Sequence, residues 1–410
     1  MQRSKIDAII LFTTRTVRLF AYGFLSITLA LYLAQVGLSD KQIGLLLSLI
    51  LVGDIPITLW ITTSADRIGR RRMLILGALL MIFGGAAFVL TNNIVLLMFA
   101  AIIGVISPSG NEIGPFLAIE QAALSQLVPD DRRTQVFAWY NLVGSFATAA
   151  GALGGGMIVQ SLQHAGFSSL DSYRAILIAY AVAGALLALI FLAVSSSVEA
   201  NAVMEIAKTP RLLGLHRSRN AVIKLSVLFS LDAFAGGFIV QSLMAYWFHI
   251  KYGIDAAMLG SIFFGANVLA GVSALSATHV AKRIGLINTM VFTHIPSNLL
   301  LCLVPFMPNL TSAIIVLLLR FSISQMDVPT RQSYTMAIVS PDERSAASGV
   351  TSIARSVGAS MSPVLGGLML ANPLLFSAPF LVSGGLKIIY DLLVYRSFSK
   401  MKPPEENAKQ

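Results

Sequence analysis

Five polar residues at helical spacing stand inside an apolar stretch of the second half of the chain. Residues 310–338 are long and apolar enough to cross a bilayer as one helix. Steps of four, three, four and three residues place the side chains on one helix face: Arg320, Ser324, Asp327, Arg331 and Tyr334. Ionisable groups within a membrane are costly and usually functional. The pattern therefore predicts a polar stripe lining a cavity, or a structural ladder of ion pairs.

One carboxylate in this stripe stands between two arginines. Asp327 can neutralise one of them, and we expect its partner to be Arg320. Arg331 would then remain to contact a substrate, and Pro329 should loosen the helix beside it. A guanidinium fork suits a carboxylate or a phosphate, so an anion is the expected ligand. Arg355 is a further candidate for this role.

Acidic residues accompany a predicted break in another apolar stretch, residues 94–127. The helix breakers there are Pro108, Gly110, Gly114 and Pro115. Irregular backbone at membrane depth is tolerated only where it lines protein or water. Glu112 and Glu120 lie within and just beyond the break, where a desolvated acid can hold a proton. They are candidates for proton coupling, together with Asp54, or else they form salt bridges to an arginine of the first or tenth apolar stretch.

The elements that must position these residues are membrane-spanning helices. The chain has 410 residues, of which 56% are hydrophobic and 12% charged, and its mean hydropathy is +0.78. A soluble protein carries about twice as much charge. Twelve apolar stretches are long enough to span a bilayer: 8–36, 41–63, 73–91, 94–127, 135–160, 173–194, 221–250, 256–280, 286–307, 310–338, 346–370 and 375–397. The sequence thus predicts an all-α polytopic membrane protein of twelve spans, without a β-barrel.

The net charge of +10 fits a membrane orientation rather than a nucleic-acid surface. Most of the 29 lysines and arginines lie on one set of alternate loops, whereas the opposite loops carry only Lys41, Arg174 and Lys251. By the positive-inside rule both termini are cytoplasmic. The single cysteine, Cys302, excludes a disulfide framework or a cysteine metal cluster. His249, His279 and His294 are expected near span ends, as interfacial or hydrogen-bonded residues, with proton handling as the alternative role.

The two halves of the chain repeat each other. "RLFAYGF" at 18–24 corresponds to "DAFAGGF" at 232–238, and "DRIG", "VPDDR" and "ALGG" recur as "KRIG", "SPDER" and "VLGG" after 212 to 216 residues. We therefore predict two six-helix bundles, 1–194 and 221–398, with a cytoplasmic linker at 195–220 and a cytoplasmic tail at 399–410. The repeat pairs Arg18 with Asp232, as a direct ion pair or as two poles of one binding site.

The turn between spans two and three, "ADRIGRRR", identifies a family. Together with twelve spans in a 6+6 repeat, it resembles the major facilitator superfamily over essentially the whole chain. The matching residues are Asp66, Arg67, Gly69, Arg70 and Arg71. The resemblance implies a latch between halves, in which Asp66 caps the eleventh span and Arg70 pairs with Asp130 or Asp131. Alternatively these charges only fix orientation. Gly69 allows a turn at positive φ.

The resemblance also implies a secondary active transporter that alternates access to a central cavity bordered by spans one and seven. No nucleotide-binding loop occurs, so an ion gradient, of protons, would drive it. "GALGGG" at 151–156 is similar to the glycine-rich motif of exporters, without its proline, and favours efflux. The predicted substrate-binding residues are Arg331, Arg18, Asp232, Asp327, Arg320, Arg355 and Tyr22.

An organic anion or zwitterion is the expected substrate. One alternative is a multidrug exporter of lipophilic cations, which Glu112, Glu120 or Asp232 would attract. Another is a membrane enzyme or a non-transporting receptor on the same fold. The expected protein is a monomer of the inner or plasma membrane, with a small-molecule substrate, protons and the lipid bilayer as partners, and without cofactor or nucleic acid.

Overall fold

A computed structural model describes residues 2–199, 217–340, 343–399 and 401, and their side chains except at 2, 4, 130–135 and 345. Regular structure in these residues is helical. The helices are α1 (Gln2–Gln35), α2 (Asp40–Ile68), α3 (Arg70–Leu90), α4 (Ile94–Ile103), α5 (Phe116–Leu127), α6 (Asp130–His164), α7 (Ser169–Leu192), α8 (Arg219–Gly237), α9 (Gln241–Tyr252), α10 (Ala256–Ile284), α11 (Leu286–Leu303), α12 (Leu310–Ile323), α13 (Asp327–Ile338), α14 (Arg344–Leu370) and α15 (Ala378–Phe398).

The helices confirm the predicted all-α membrane fold. Eleven helical segments of the described chain are long and apolar enough to cross a bilayer, and the short apolar α4 accompanies them. Large apolar side chains such as Leu90, Val182 and Leu189 are exposed, as expected for surfaces that face lipid. Each of the twelve predicted stretches corresponds to one helix or to a pair of consecutive helices.

Three predicted spans are interrupted. Residues 104–115 are not helical between α4 and α5, which confirms the break predicted from the sequence. Gly110 and Gly114 adopt φ of 69° and 79° there, a left-handed region that favours glycine. The seventh span is interrupted between α8 and α9, and the tenth between α12 and α13. The tenth-span break precedes Pro329, which lies in the first turn of α13, where a missing N–H costs little.

The chain divides into two compact units. The first consists of Met1–Glu205 and Val240–Asn267, and the second of Ile206–Ile239 and Val268–Gln410. In the first unit α1 packs along α6 and α7, α3 packs on α7, and α9 packs on α1. In the second, α8 packs on α14 and α15, and α11 packs on α12, α13 and α15. The domain boundaries derived from the repeat stay a prediction.

Glycine allows the closest helix packing in the first unit. A Cβ atom on Gly151 of α6 would lie 2.0 Å from the carbonyl oxygen of Phe20 in α1, and one on Gly23 of α1 would lie 2.2 Å from that of Thr148 in α6. Side chains at these positions would hold the two helices apart. Gly151, within the glycine-rich stretch at 151–156, therefore allows α1 and α6 to approach closely.

Candidate functional site

The first unit contains a buried cluster of ion pairs centred on Arg18. This side chain is fully buried in α1. Its Nε donates to Glu112 Oε1 at 2.7 Å, and its terminal nitrogens donate to both oxygens of Glu120 at 2.9 and 2.7 Å. Arg15, one turn earlier, donates from Nη1 to Glu112 Oε2 at 3.0 Å. Glu112 and Glu120 therefore form salt bridges to arginines of span one, one of the two roles expected for them.

Neutral side chains also donate hydrogen bonds to Glu120. Thr14 donates its hydroxyl to Oε1 at 3.0 Å, and the Tyr140 hydroxyl donates to Oε2. Arg15 lies 4.2 Å from the centroid of the Tyr140 ring and donates to Asn141 at 3.3 Å. Buried charges are tolerated when they are paired and hydrogen-bonded in this way. Two arginines and two glutamates make this cluster electrically balanced.

Asp54 lies beside this cluster without a cation of its own. Its Oδ1 accepts from the Thr58 hydroxyl at 3.0 Å, and the Gly114 backbone N–H of the broken span also donates to it. No lysine, arginine or histidine of the described residues forms an ion pair with Asp54. Asp54 is therefore an acid of the first unit whose charge no described cation compensates. Tyr22 lies nearby, donating to the Ile113 carbonyl at 3.3 Å and stacking on Tyr180.

A second cluster in the other unit is centred on Asp232 of α8. Asp232 Oδ1 accepts from Lys387 Nζ at 2.6 Å, and its Oδ2 accepts from Arg331 Nη1 at 3.1 Å. The same Arg331 nitrogen donates to Asp327 Oδ2 at 3.1 Å. The expectation that Asp327 pairs with Arg320 and leaves Arg331 free is thus wrong. Asp327 and Arg331 both lie in α13, one turn apart, whereas Arg320 lies in α12 beyond the helix break.

Arg320 is a buried cation of this unit that forms no ion pair with the described residues. The residue is 8% exposed, and its Nε has no hydrogen-bond partner among the described residues. Its guanidinium lies 4.8 Å from the centroid of the Phe321 ring, and no ion pair joins it to a carboxylate in the described part of the chain. The Ser324 hydroxyl, one turn along, is also buried without a described partner.

Three residues that sequence reasoning missed or misplaced extend the second cluster. His294 lies within α11 and is buried, not at a span end as expected. Its Nδ1 is 2.8 Å from Asp391 Oδ1, and Asn298 donates to Asp391 Oδ2 at 3.1 Å. The spacing of four residues in both His294–Asn298 and Lys387–Asp391 was the available signal, since such pairs share one helix face.

The turn between α2 and α3 is organised by an unpredicted acid, Glu199. Its carboxylate accepts from the backbone N–H groups of Arg70 at 2.6 Å and Arg71 at 3.3 Å, where the helix dipole of α3 favours an anion. Gly69 has φ 115°, the positive value expected of it. Asp66 pairs with Arg70 at 2.8 Å.

The remaining predicted residues lie in this turn and in span eleven. Arg67 is exposed, and Arg355 is half-buried in α14. Arg70 pairs with Asp66 within its own turn, and its expected pairing with Asp130 or Asp131 stays a prediction. The side chains of Asp130 and Asp131 lie outside the described residues. The capping of span eleven by Asp66 stays a prediction.

Comparison with known proteins supports one family. The profile of the Major Facilitator Superfamily matches residues 11–326. The chain is 29% identical over 417 residues to the Saccharomyces cerevisiae protein called "Uncharacterized membrane protein YJR124C", covering 95% of this chain and 93% of the yeast protein.

Solved structures share the fold at low identity. The nucleoside transporter NupG is 13% identical with a TM-score of 0.74, covering 97% of this chain and 100% of its own. A D-xylose–proton symporter is 16% identical with a TM-score of 0.74, covering 97% and 98%. The human organic anion transporter MFSD10 (TETRAN) is 15% identical with a TM-score of 0.64, covering 95% and 99%. At these identities the likeness concerns the fold alone.

The helical membrane fold and the buried polar clusters within its spans define the class of a polytopic membrane transporter. The chain belongs to the Major Facilitator Superfamily. Members of this family are secondary transporters, which move small molecules by alternating access at sites near the bilayer midplane.

Proposed function

We propose that this protein is a proton-coupled secondary transporter of a small organic anion or zwitterion. The observation that supports the substrate class is that Arg320 lacks a carboxylate partner among the described residues. Arg15, Arg18, Arg331 and Lys387 each have carboxylate partners, whereas Arg320 has none among the described residues. A desolvated guanidinium without a counter-ion is costly, and an anionic ligand would relieve that cost.

The shape of the donor set favours a carboxylate or a phosphate. Arginine offers two parallel N–H donors to a planar anion, and the Ser324 hydroxyl stands one turn away. Phe321 offers an apolar ring face beside the guanidinium. The substrate role that sequence reasoning gave to Arg331 therefore passes to Arg320. Arg331, bonded to Asp232 and Asp327, has the role of holding α8 and α13 together.

Asp54 supports the coupling part of the proposal. Of the three acids predicted to bind a proton, Glu112 and Glu120 each form salt bridges to arginine. Asp54 lacks such a partner in the described structure, so a proton is the simplest means of neutralising it. The lack of a described cation partner for Asp54 also favours a second candidate function, the export of lipophilic cations. In that function Asp54 would attract the substrate.

Sequence features support the proposed direction of transport and the proposed location. The glycine-rich stretch at 151–156 favours efflux, and the distribution of lysine and arginine favours cytoplasmic termini in an inner or plasma membrane. We propose a monomer as the working unit. Transport by a single chain agrees with a repeat that supplies both halves.

Vesicle transport of a defined panel tests the substrate class. Purified protein in proteoliposomes would be given labelled benzoate, phenyl phosphate, phenylalanine and tetraphenylphosphonium, with and without a pH gradient. We expect an anion or the zwitterion to move in a gradient-dependent manner. Arg320→Gln should weaken its apparent affinity about 10-fold to 100-fold, the worth of roughly 1.5–3 kcal/mol of charged hydrogen bonds. Arg320→Lys should keep part of the affinity for the substrate, because lysine keeps the charge but lacks the two parallel donors.

The matched control is Arg72→Gln, which removes an exposed arginine of α3. It should leave affinity unchanged. Movement of tetraphenylphosphonium alone, unaffected by Arg320→Gln but lost in Asp54→Asn, would establish the cation exporter instead. A protein that moves none of the four compounds in either direction would favour the receptor.

A further inference from the structure

A groove on the surface of the first unit lies outside both polar clusters. One wall is α1 from Ala8 to Thr16, and the other is α6 at Val136, Trp139 and Val143. The α1 wall is about 12 Å long, at 1.5 Å for each residue of a helix. The groove has a volume of about 580 Å³, and sites for small molecules measure roughly 300–1,000 Å³. It is therefore large enough to hold part of a lipid chain.

The groove offers a ligand apolar surface. Thr13 donates its hydroxyl to the carbonyl oxygen of Ile9 at 3.0 Å, and Thr16 donates to that of Phe12 at 2.8 Å. The hydroxyl protons of both threonines are thus used within α1. The Phe12 ring packs edge-to-face on the buried Tyr140, with 5.2 Å between the ring centroids. This packing fixes the wall before a ligand binds.

The groove lies on a surface that faces lipid. Both walls belong to segments long and apolar enough to cross a bilayer, Lys5–Gln35 and Val136–His164. Ile9 and Trp139 are largely exposed, as expected where a span contacts lipid. The polar cluster is on the other side of α1, because Arg18 follows Ile9 by nine residues, which is two and a half helical turns. Lipid chains are therefore the medium that fills the groove.

Basic residues stand at the amino-terminal end of both walls. Lys5 precedes Ile9 by four residues, so it lies on the groove face of α1, one turn beyond the groove. It is exposed and forms no ion pair with a carboxylate of the described residues. In the sequence of α6, Arg132 precedes Val136 by four residues and Trp139 by seven, the spacing of one helix face. Because α1 and α6 are the first and fifth spans, they cross in the same direction, and both basic residues mark one end of the groove.

Acidic residues near this end occupy other helix faces. Asp7 is two residues from Lys5 and therefore does not share its face. Asp7 is also buried, and it accepts from the Ser195 backbone N–H at 3.0 Å. By the same rule of spacing, Asp130 and Asp131 do not share a face of α6 with the arginine that follows them. The groove face of both helices is therefore basic at this end.

We propose that this groove binds one anionic phospholipid. The phosphate contacts Lys5, at the end where Arg132 also stands, and one acyl chain lies along α1 from Ile9 to Thr16. A lysine buries its stem along apolar surface while its ammonium stays at the level of the headgroups. In the proposed orientation this end is cytoplasmic, and anionic lipids give that leaflet its negative potential. The site does not depend on a transported substrate.

Fluorescence quenching by brominated lipid tests this site, because one of the three tryptophans of the chain lines the groove. Trp139 is 55% exposed and Trp60 of α2 is 56% exposed, whereas Trp247 is buried. Trp60→Phe leaves Trp139 as the exposed tryptophan, and Trp139→Phe leaves Trp60 as the matched control outside the groove. Each variant would be measured in phosphatidylcholine nanodiscs that contain increasing fractions of dibrominated phosphatidylglycerol or dibrominated phosphatidylcholine.

Trp139 should be quenched at a lower fraction of the brominated phosphatidylglycerol than of the brominated phosphatidylcholine, and the quenching should saturate as for a single site. A basic residue near the membrane surface favours an anionic lipid about fivefold, which sets the expected preference. Trp60 has the exposed Arg67 seven residues further on its helix but does not line the groove, so its preference should be smaller. Equal preferences at the two tryptophans would show that surface charge alone attracts the lipid, and would overturn the proposal.

Three variants in the Trp60→Phe background separate the charge from the groove. Lys5→Gln should lower the preference for the anionic lipid about fivefold. Arg3→Gln removes the same charge two residues away, on another face of α1, and should leave the preference in place. Thr16→Phe fills the groove at an exposed position, keeps Lys5, and should weaken the preference. Equal effects of Lys5→Gln and Arg3→Gln would refute the headgroup contact, and an unchanged preference in Thr16→Phe would refute the groove.

A second copy of the chain is the alternative occupant. If no brominated lipid quenches Trp139 in nanodiscs whose mass corresponds to two copies, the groove is an interface between copies and the lipid site is refuted. Equal quenching of Trp139 by the two brominated lipids would show an acyl chain held without contact to its headgroup, and would overturn the preference for an anionic lipid.

Discussion

At the scale of single residues, the partners of each charged side chain decide its role. Arg18 and Arg320 have the same chemistry and are both buried within spans. Arg18 is bonded to two glutamates, so its removal would leave charges unpaired. Arg320 has no described carboxylate partner, so its removal would relieve a cost rather than create one. Stability and ligand affinity should therefore respond to the two arginines in opposite ways.

Glu120→Gln should destabilise the first unit strongly. The variant leaves Arg18 with a weaker partner and disturbs the hydrogen bonds from Thr14 and Tyr140. Breaking one partner of a buried pair costs about 3–5 kcal/mol. Unfolding of detergent-solubilised protein in dodecyl sulfate would measure the loss.

Asp171→Asn is the matched control for this variant, because Asp171 forms an exposed pair with Arg174 at 3.6 Å. That change should cost no more than about 1 kcal/mol. Equal losses in the two variants would show that burial does not set the strength of the Glu120 pairs.

Asp54→Asn should separate proton-driven accumulation from exchange. The amide keeps the hydrogen bond with Thr58 but no longer binds a proton, so coupling is lost while substrate still crosses. Accumulation under a pH gradient and exchange of labelled for unlabelled substrate would be measured in the same vesicles. Retained accumulation in Asp54→Asn would remove this residue from coupling.

At the scale of elements, interrupted helices bring polar groups into apolar spans. The break at 104–115 frees backbone groups and places Glu112 beside Arg15 and Arg18. The break before α13 places Arg320 in α12, whereas Asp327 and Arg331 lie in the first turns of α13. A continuous helix would have kept Arg320 on the same face as Asp327. In the described structure Asp327 pairs with Arg331 and not with Arg320.

Two glycines of one helix should respond differently to the same change. Gly151→Ala would place a Cβ atom 2.0 Å from the Phe20 carbonyl oxygen, so α1 and α6 must separate. Overpacking of this kind costs about 1–3 kcal/mol. Gly154→Ala meets only the ring edge of Phe20 at 3.4 Å, an ordinary contact. Thermal unfolding should show a marked loss for the first variant and a change below about 1 kcal/mol for the second.

At the scale of the whole molecule, the turn between α2 and α3 is the predicted latch between conformations. Asp66→Asn removes one partner of Arg70 at an exposed site and should leave insertion and folding intact. Transport should fall, because the inward–outward balance would shift. Labelling of single cysteines on each membrane face, in a Cys302→Ser background, measures that balance. Unchanged labelling on both faces would assign these charges to orientation alone.

The sequence by itself determined the class of fold, because the features that encode it are local. Apolar length predicts a span, proline and glycine predict the break at 104–115, and Gly69 predicts the turn at positive φ. The tertiary structure decided which charges pair. Arg18 and Glu120 are 102 residues apart, and Asp232 and Lys387 are 155 apart. Helical periodicity places a side chain on a face but does not say which distant helix meets it. For that reason only the packed structure showed that, among the described residues, Arg331 has carboxylate partners and Arg320 has none.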